Sequence, residues 1–280
     1  MAHSSRLAAQ PAAEAADVLE TAGIDYVSFG WLTVALLAHD CNFAEVEFIV
    51  RDRDLIAARE PLADAGFHLC TDQVCKELHD IRHPSPDLNS PAELFRTHRP
   101  NKHHLPPATH IHLDFHYEGC DVLKLYKKSS LLRWIPVLED DPRNNDPALV
   151  WLANDPRLPA AARQGWSWTH LGPVRILNPA SFCEVLIMLL CRDYGSIQGR
   201  EFVWRGMWEE LVKSCIHARL NRPLRPDFKE LWDAAEDFFL RHVRSQAPLP
   251  KLCDLRRRLI ASGEILADEI PQIDELRLHS

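Results

Sequence analysis

Short apolar runs broken by turn residues fill the first 126 positions, and from Pro179 onward the apolar residues recur at helical spacing. Residues 11–22 read as a short helix, opened by Pro11 and closed by Gly23. The run 24–29 reads as a strand, 31–38 as a helix entered through Gly30, and 45–50 (EVEFIV) as a second strand. Asp52, Arg53 and Asp54 can cap a helix over about 53–65 that ends at Gly66, and FHLC (67–70) reads as a short strand. THIHLDFHY (109–117) alternates cleanly, and VLKLY (122–126) follows a turn at Glu118-Gly119, so 109–126 is expected to be a β-hairpin. Residues 181–193 are apolar almost all round and predict a buried helix. The segments 202–220 and 228–246 are amphipathic, and a last helix falls near 252–268. Two stretches have no sustained period: 79–107, which reads as a long loop or lid, and the proline-rich 136–175 with Trp151, Trp166 and Trp168. The pattern predicts an α+β chain, with a mixed sheet and flanking helices over 1–175 and a helical part over 176–280.

Composition narrows the class. With 280 residues, 46% hydrophobic and 26% charged, the chain can bury one large core or two modest ones. A net charge of −8 argues against a dedicated nucleic-acid binder, which needs a basic face. The eight cysteines are scattered with no C-x-x-C pair, and several lie in apolar helical stretches, so they read as reduced and structural. The N-terminal stretch lacks the apolar core of a signal peptide and no run approaches membrane-spanning length, so a cytoplasmic protein without a membrane partner is expected.

The candidate chemistry sits on two strands. Side chains alternate along a strand, so Glu45 and Glu47 point together while Val46, Phe48 and Val50 point to a core. Adjacent acids on one face need solvent, a cation or a shared proton to relieve their repulsion. On 109–117, His110, His112, Asp114 and His116 share one face, and Ile111, Leu113, Phe115 and Tyr117 the other. If this strand lies beside 45–50, imidazoles and carboxylates converge, a composition suited to acid–base catalysis near neutral pH. Residues at i, i+2 and i+4 of one strand are ~6–7 Å apart per step, at the edge of reach for a shared ion, and no metal is expected there. The plain alternative is a wet strand face. His103 and His104 read as solvated loop residues. Lys124, Lys127 and Lys128 could grip a phosphate, although lysines at a hairpin end also serve as charged edge residues. There is no G-x-S-x-G, no P-loop and no dinucleotide fingerprint.

The order helix, strand, glycine turn, helix, acid-x-acid strand, helix ending in Ala65-Gly66-Phe67, and a later strand bearing Asp114 resembles the nucleotidyltransferase (polymerase-β-like) superfamily, its small antibiotic- and toxin-type branch above all. The likeness covers about residues 12–126, and more loosely 177–240. It implies a nucleotidyltransferase-like mixed sheet, a phosphate turn at Phe29-Gly30-Trp31, and an acid set of Glu45, Glu47 and Asp114 holding two Mg²⁺ ions for nucleoside triphosphate chemistry. The sequence departs from that pattern at two places. Trp31 stands where a small residue lets backbone amides approach a phosphate, and both paired acids are Glu rather than Asp.

These departures favour a degenerate member with a repurposed pocket. The expected activity is metal-independent acid–base chemistry on an apolar small molecule: dehydration, isomerisation or cyclisation, of lyase, isomerase or cyclase type, with no cofactor. His112, His116, Asp114, Glu47 and Glu45 are the catalytic candidates. Trp31, Phe29, Gly30, His110 and Lys124 are the substrate-binding candidates. One alternative is an Mg-dependent nucleotidyltransferase using Glu45, Glu47 and Asp114 with a nucleoside triphosphate. A second is a non-catalytic binding protein. The expected partner is a small molecule, and an edge strand or the helical tail could mediate a homodimer.

Overall fold

A computed structural model of the chain describes residues 4–38, 45–72, 75, 107–113, 122–159, 172–196, 199–214, 216–243 and 247–272. In chain order these form α1 (Ser4–Thr21), β1 (Tyr26–Phe29), α2 (Gly30–Ala38), β2 (Glu45–Val50), α3 (Arg59–Asp64), β3 (Thr109–His112) and β4 (Val122–Lys127). There follow α4 (Lys128–Leu131), β5 (Val150–Leu152), β6 (Arg175–Leu177), α5 (Pro179–Asp193), α6 (Glu201–Lys213), α7 (Pro226–Phe239) and α8 (Pro248–Ala261). The protein is mixed α+β: a six-stranded mixed sheet with flanking helices, and helices in its C-terminal part. None of the helices among the described residues is long and apolar enough to cross a membrane.

The chain divides into two compact units, with α5 beginning in the first and ending in the second. The first holds the sheet, whose strand order is β3-β4-β2-β1-β6-β5. β2 runs antiparallel to β1 and parallel to β4, with Phe29 opposite Glu47 and Lys124 opposite Glu47 on its other side. β3 pairs antiparallel with β4, placing His110 opposite Lys124, so residues 109–126 form the expected hairpin with its turn outside the described residues. β6 joins β1 in parallel, and β5 closes that edge. Val46, Phe48 and Val50 are fully buried, and Tyr26 stacks on Phe48 at a centroid distance of 4.9 Å. Each such side chain stabilises the fold by about 1.5–3 kcal/mol. On the opposite face Phe29 meets Phe182 of α5 edge-on at 5.2 Å.

Several elements differ from their sequence reading, three of them for a reason visible in the chain itself. α1 starts at Ser4, and Pro11 lies inside it rather than at its first turn. The Ala-rich flanks carry the helix through, because Ala9, Ala12, Ala13, Ala15 and Ala16 form a closely packed buried face that offsets the lost backbone bond. The helix expected over 53–65 is split into a 3₁₀ turn at Asp52–Asp54 and the short α3. Pro61 has no N–H for the carbonyl of Ala57, and the largely exposed stretch before it offers no packing to carry a helix through, so the helix restarts with Pro61 in its first turn. FHLC makes a single bridge, Leu69 to Ile111, rather than a strand.

The second unit is built on α6, α7 and α8 with the end of α5. Asp193, fully buried, accepts hydrogen bonds from Arg192 Nε and from Trp204 Nε1, both at 2.7 Å. Trp208 packs edge-on against Trp232 and Phe239. These indoles are core, bridging α6 to α7.

Candidate functional site

β2 places Glu45 and Glu47 on one face, as its alternation requires, and β4 lays Lys124 and Tyr126 beside them on the same face. Glu45 lies directly opposite Val122, so Lys124 reaches it on the diagonal, two positions along β4. The Lys124 ammonium donates to Glu45 Oε2 at 2.9 Å, with both side chains less than a tenth exposed. The Tyr126 hydroxyl donates to Glu47 Oε1 at 3.1 Å along the next diagonal. Both long acids thus lean the same way across the gap, a span for which the extra methylene of Glu over Asp is useful.

Glu47 is the half-buried member of the row, and its other oxygen lies against Gly30. Gly30 has φ +70°, and a Cβ there would stand 1.5 Å from Glu47 Oε2. A glycine is therefore required twice, for the left-handed backbone and for the close approach. The carboxylate sits at the first residue of α2, the positive end of a nine-residue helix whose residues are all buried. Trp31, next in the helix, is 7% exposed, and Phe29 1%.

Strand β3 is not the neighbour of β2. β4 stands between them, so the imidazoles meet the acid row across Lys124. His110 is buried and His112 exposed, with ring centroids 5.2 Å apart and planes at 87°. Asp114 and His116, as well as His103, His104, Trp166 and Trp168, lie outside the described residues.

A second group shares those imidazoles. Ligand atoms of Cys70, His110 and His112 all lie within 4.8 Å of one another. Cys70 is brought there by its backbone: its N–H donates to the His110 carbonyl at 3.1 Å, beside the Leu69–Ile111 bridge. Two features of this face were not read from the sequence. Tyr126 was passed over, although it follows Lys124 by two positions on an alternating strand. Cys70 belongs to no C-x-x-C pair, and it meets the H-x-H of His110 and His112 only through pairing with the hairpin.

No family model, curated protein or solved structure matches this chain.

Proposed function

We propose that the chain is a diverged relative of the nucleotidyltransferase superfamily whose acid strand carries out proton transfer on an apolar small molecule without a metal on that strand. The observation that carries this reading is the buried Lys124–Glu45 pair. A fixed ammonium occupies the flank of the acid pair where a divalent ion would have to sit, and it supplies positive charge without one. The Glu47 carboxylate, lodged against Gly30, also fills the approach that a phosphate would need at the start of α2. Glu45 and Glu47 therefore do not fit an Mg²⁺ pair with a bound triphosphate.

The proton chemistry falls to Glu47 and Tyr126. Glu47 takes a proton from the substrate, and the Tyr126 hydroxyl gives its proton to a second substrate atom, either a leaving oxygen or a rearranged carbon. The proton on Glu47 then returns to the phenolate along their hydrogen bond, which restores the resting state with no net proton gained. Lys124, held on Glu45, supplies positive charge to the same face while the phenolate exists. Dehydration, isomerisation and cyclisation all need only such a pair and a shaped apolar surrounding. Phe29, Val27 and Val122 share the face. A second reading, a small-molecule binding protein without turnover, is favoured by the same Glu47–Gly30 contact, which closes the start of α2.

Two measurements test this. Thermal stability is recorded with each nucleoside triphosphate, with and without Mg²⁺ or Mn²⁺, on the wild type and Glu45→Gln. No shift requiring both nucleotide and metal is expected. A shift that needs both and disappears in Glu45→Gln would restore the nucleotidyltransferase reading. The protein is also incubated with a metabolite extract and profiled by mass spectrometry beside Glu47→Gln and Tyr126→Phe. A metabolite consumed by the wild type alone supports catalysis. Identical profiles with a small molecule retained on the protein support the binding reading.

A further inference from the structure

We infer that Cys70, His110 and His112, all within the first unit, form a three-donor site for a zinc-type divalent cation whose fourth position takes water or a small anion. At Zn–N of about 2.0–2.1 Å and Zn–S of about 2.3 Å, tetrahedral angles put neighbouring donors roughly 3.3–3.6 Å apart. The thiol sulfur and one nitrogen of each imidazole lie within 4.8 Å of one another. Each donor therefore closes on an ion by moving about 1 Å or less, within the reach of small χ rotations. The donor types choose the metal. A thiolate with two imidazoles suits zinc and disfavours the oxygen-seeking Mg²⁺ and Ca²⁺.

The backbone arranges these donors before any ion arrives. The Cys70 N–H donates to the His110 carbonyl at 3.1 Å, beside the Leu69–Ile111 bridge, and so holds the thiol against the strand that carries both imidazoles. His110 and His112 stand two positions apart on β3 and share a face. Their rings turn edge to face at a centroid distance of 5.2 Å, which brings nitrogens together that strand rise alone would keep apart. Pairing with β4 fixes both positions, His110 opposite Lys124 and His112 opposite Val122. His110 is buried, Cys70 half-buried and His112 exposed, so an ion enters on the His112 side.

Ligand number and charge give the site its task. Three protein donors with an exchangeable fourth are the arrangement in which zinc holds water or polarises an oxygen. One thiolate and two neutral imidazoles leave the ion a net charge of about +1, so the fourth position attracts an anion. Lys124 is opposite His110 on one side and Glu47 on the other, which puts the site on the same sheet face as the acid row. A bound ion takes His110 and His112 out of acid–base duty and gives that face an electrophilic edge. The inference does not rest on the proton chemistry proposed for Glu47 and Tyr126. Its rival is a thiol–imidazole cluster joined by hydrogen bonds, which would hold no ion.

The test reads metal and anion binding and does not depend on turnover. The purified full chain is stripped with a chelator, dialysed into metal-free buffer and titrated with Co²⁺ as a spectroscopic stand-in for zinc. Binding should bring the intense ligand-field bands of tetrahedral coordination together with a thiolate-to-cobalt charge-transfer band, and Zn²⁺ should displace both. Cys70→Ser should abolish the charge-transfer band. His112→Ala, at an exposed position that does not endanger folding, should weaken Co²⁺ binding by about a hundredfold or more. His68→Ala removes an exposed imidazole two residues before Cys70 and outside the group, and should bind as the wild type does. Sodium azide added to the Co²⁺ form should shift the ligand-field bands saturably, because an anion replaces the fourth ligand. Three results would overturn the inference: a featureless Co²⁺ titration, a charge-transfer band unchanged by Cys70→Ser, or bands that azide does not move.

Discussion

Lys124 and Glu45 stabilise the sheet face only together. Each is nearly out of water, and an isolated ammonium or carboxylate there would carry a desolvation penalty of several kcal/mol. Their 2.9 Å contact offsets that penalty without turning it into a large gain, because both ions were well solvated in the unfolded chain. Truncating one partner leaves the other charge buried, so Lys124→Met alone or Glu45→Leu alone should each cost about 3–5 kcal/mol. The double variant, which replaces the pair with apolar side chains of similar size, should recover most of that loss and approach the wild type. A double-mutant cycle from urea unfolding measures this directly, with a coupling energy of about 3 kcal/mol or more expected. Additive single effects would mean that the ammonium is not holding the carboxylate. In that case the assignment of Lys124 to the place of a metal would fail with it.

Between elements, the second unit offers a contact whose pH dependence has a definite sign. Arg225, the residue before α7, grips Glu264 beyond the end of α8 with two hydrogen bonds, at 2.6 and 3.2 Å. These bonds hold the Glu264 carboxyl below its ordinary value, against a smaller opposing push from burial. A depressed carboxylate contributes stability above its unfolded pKa of about 4.3 and loses it as pH falls through the lower folded value. Unfolding midpoints of the wild type should therefore exceed those of Glu264→Gln at pH 7, with the gap closing below about pH 4. The pair is more than a third exposed, which limits the gap to about 1 kcal/mol or less. A gap that persists at pH 2 would show that the side chain acts by packing rather than by charge. Elements of this size were readable from the sequence where their period was long. β2 runs from 45 to 50 as its alternation indicates, and the apolar run 181–193 lies buried within α5. β5 and β6 were missed because three residues are too few to display a period. For the site, alternation alone placed Glu45 with Glu47 and His110 with His112. Which strand lies beside β2 depends on pairing across more than seventy residues, and nothing local to 45–50 encodes Lys124 as the neighbour. Cys70 escaped notice for the same reason, since its partners are forty residues away on a hairpin.

Across the first unit as a whole, the strand order predicts where the sheet is strongest and which edge opens first. β2 is paired with β4 over its full length and with β1 from Glu47 to Val50, and β4 is paired on both sides as well. Their amides should exchange with solvent only through the largest openings. The two edges are held differently. β5 is tied to β6, and Asn178, just past β6, donates from its backbone and its side chain to the carbonyls of Leu149 and Ala148, so that edge carries its own polar clamp. β3 is covered by the Leu69–Ile111 bridge and the Cys70 N–H···O=C His110 bond. Native-state hydrogen exchange should therefore show β3 amides exchanging about tenfold or more faster than those at the centre of β2, equivalent to about 1.4 kcal/mol of local stability. Equal protection in β3 and the centre of β2 would mean that the sheet opens as one unit rather than from this edge.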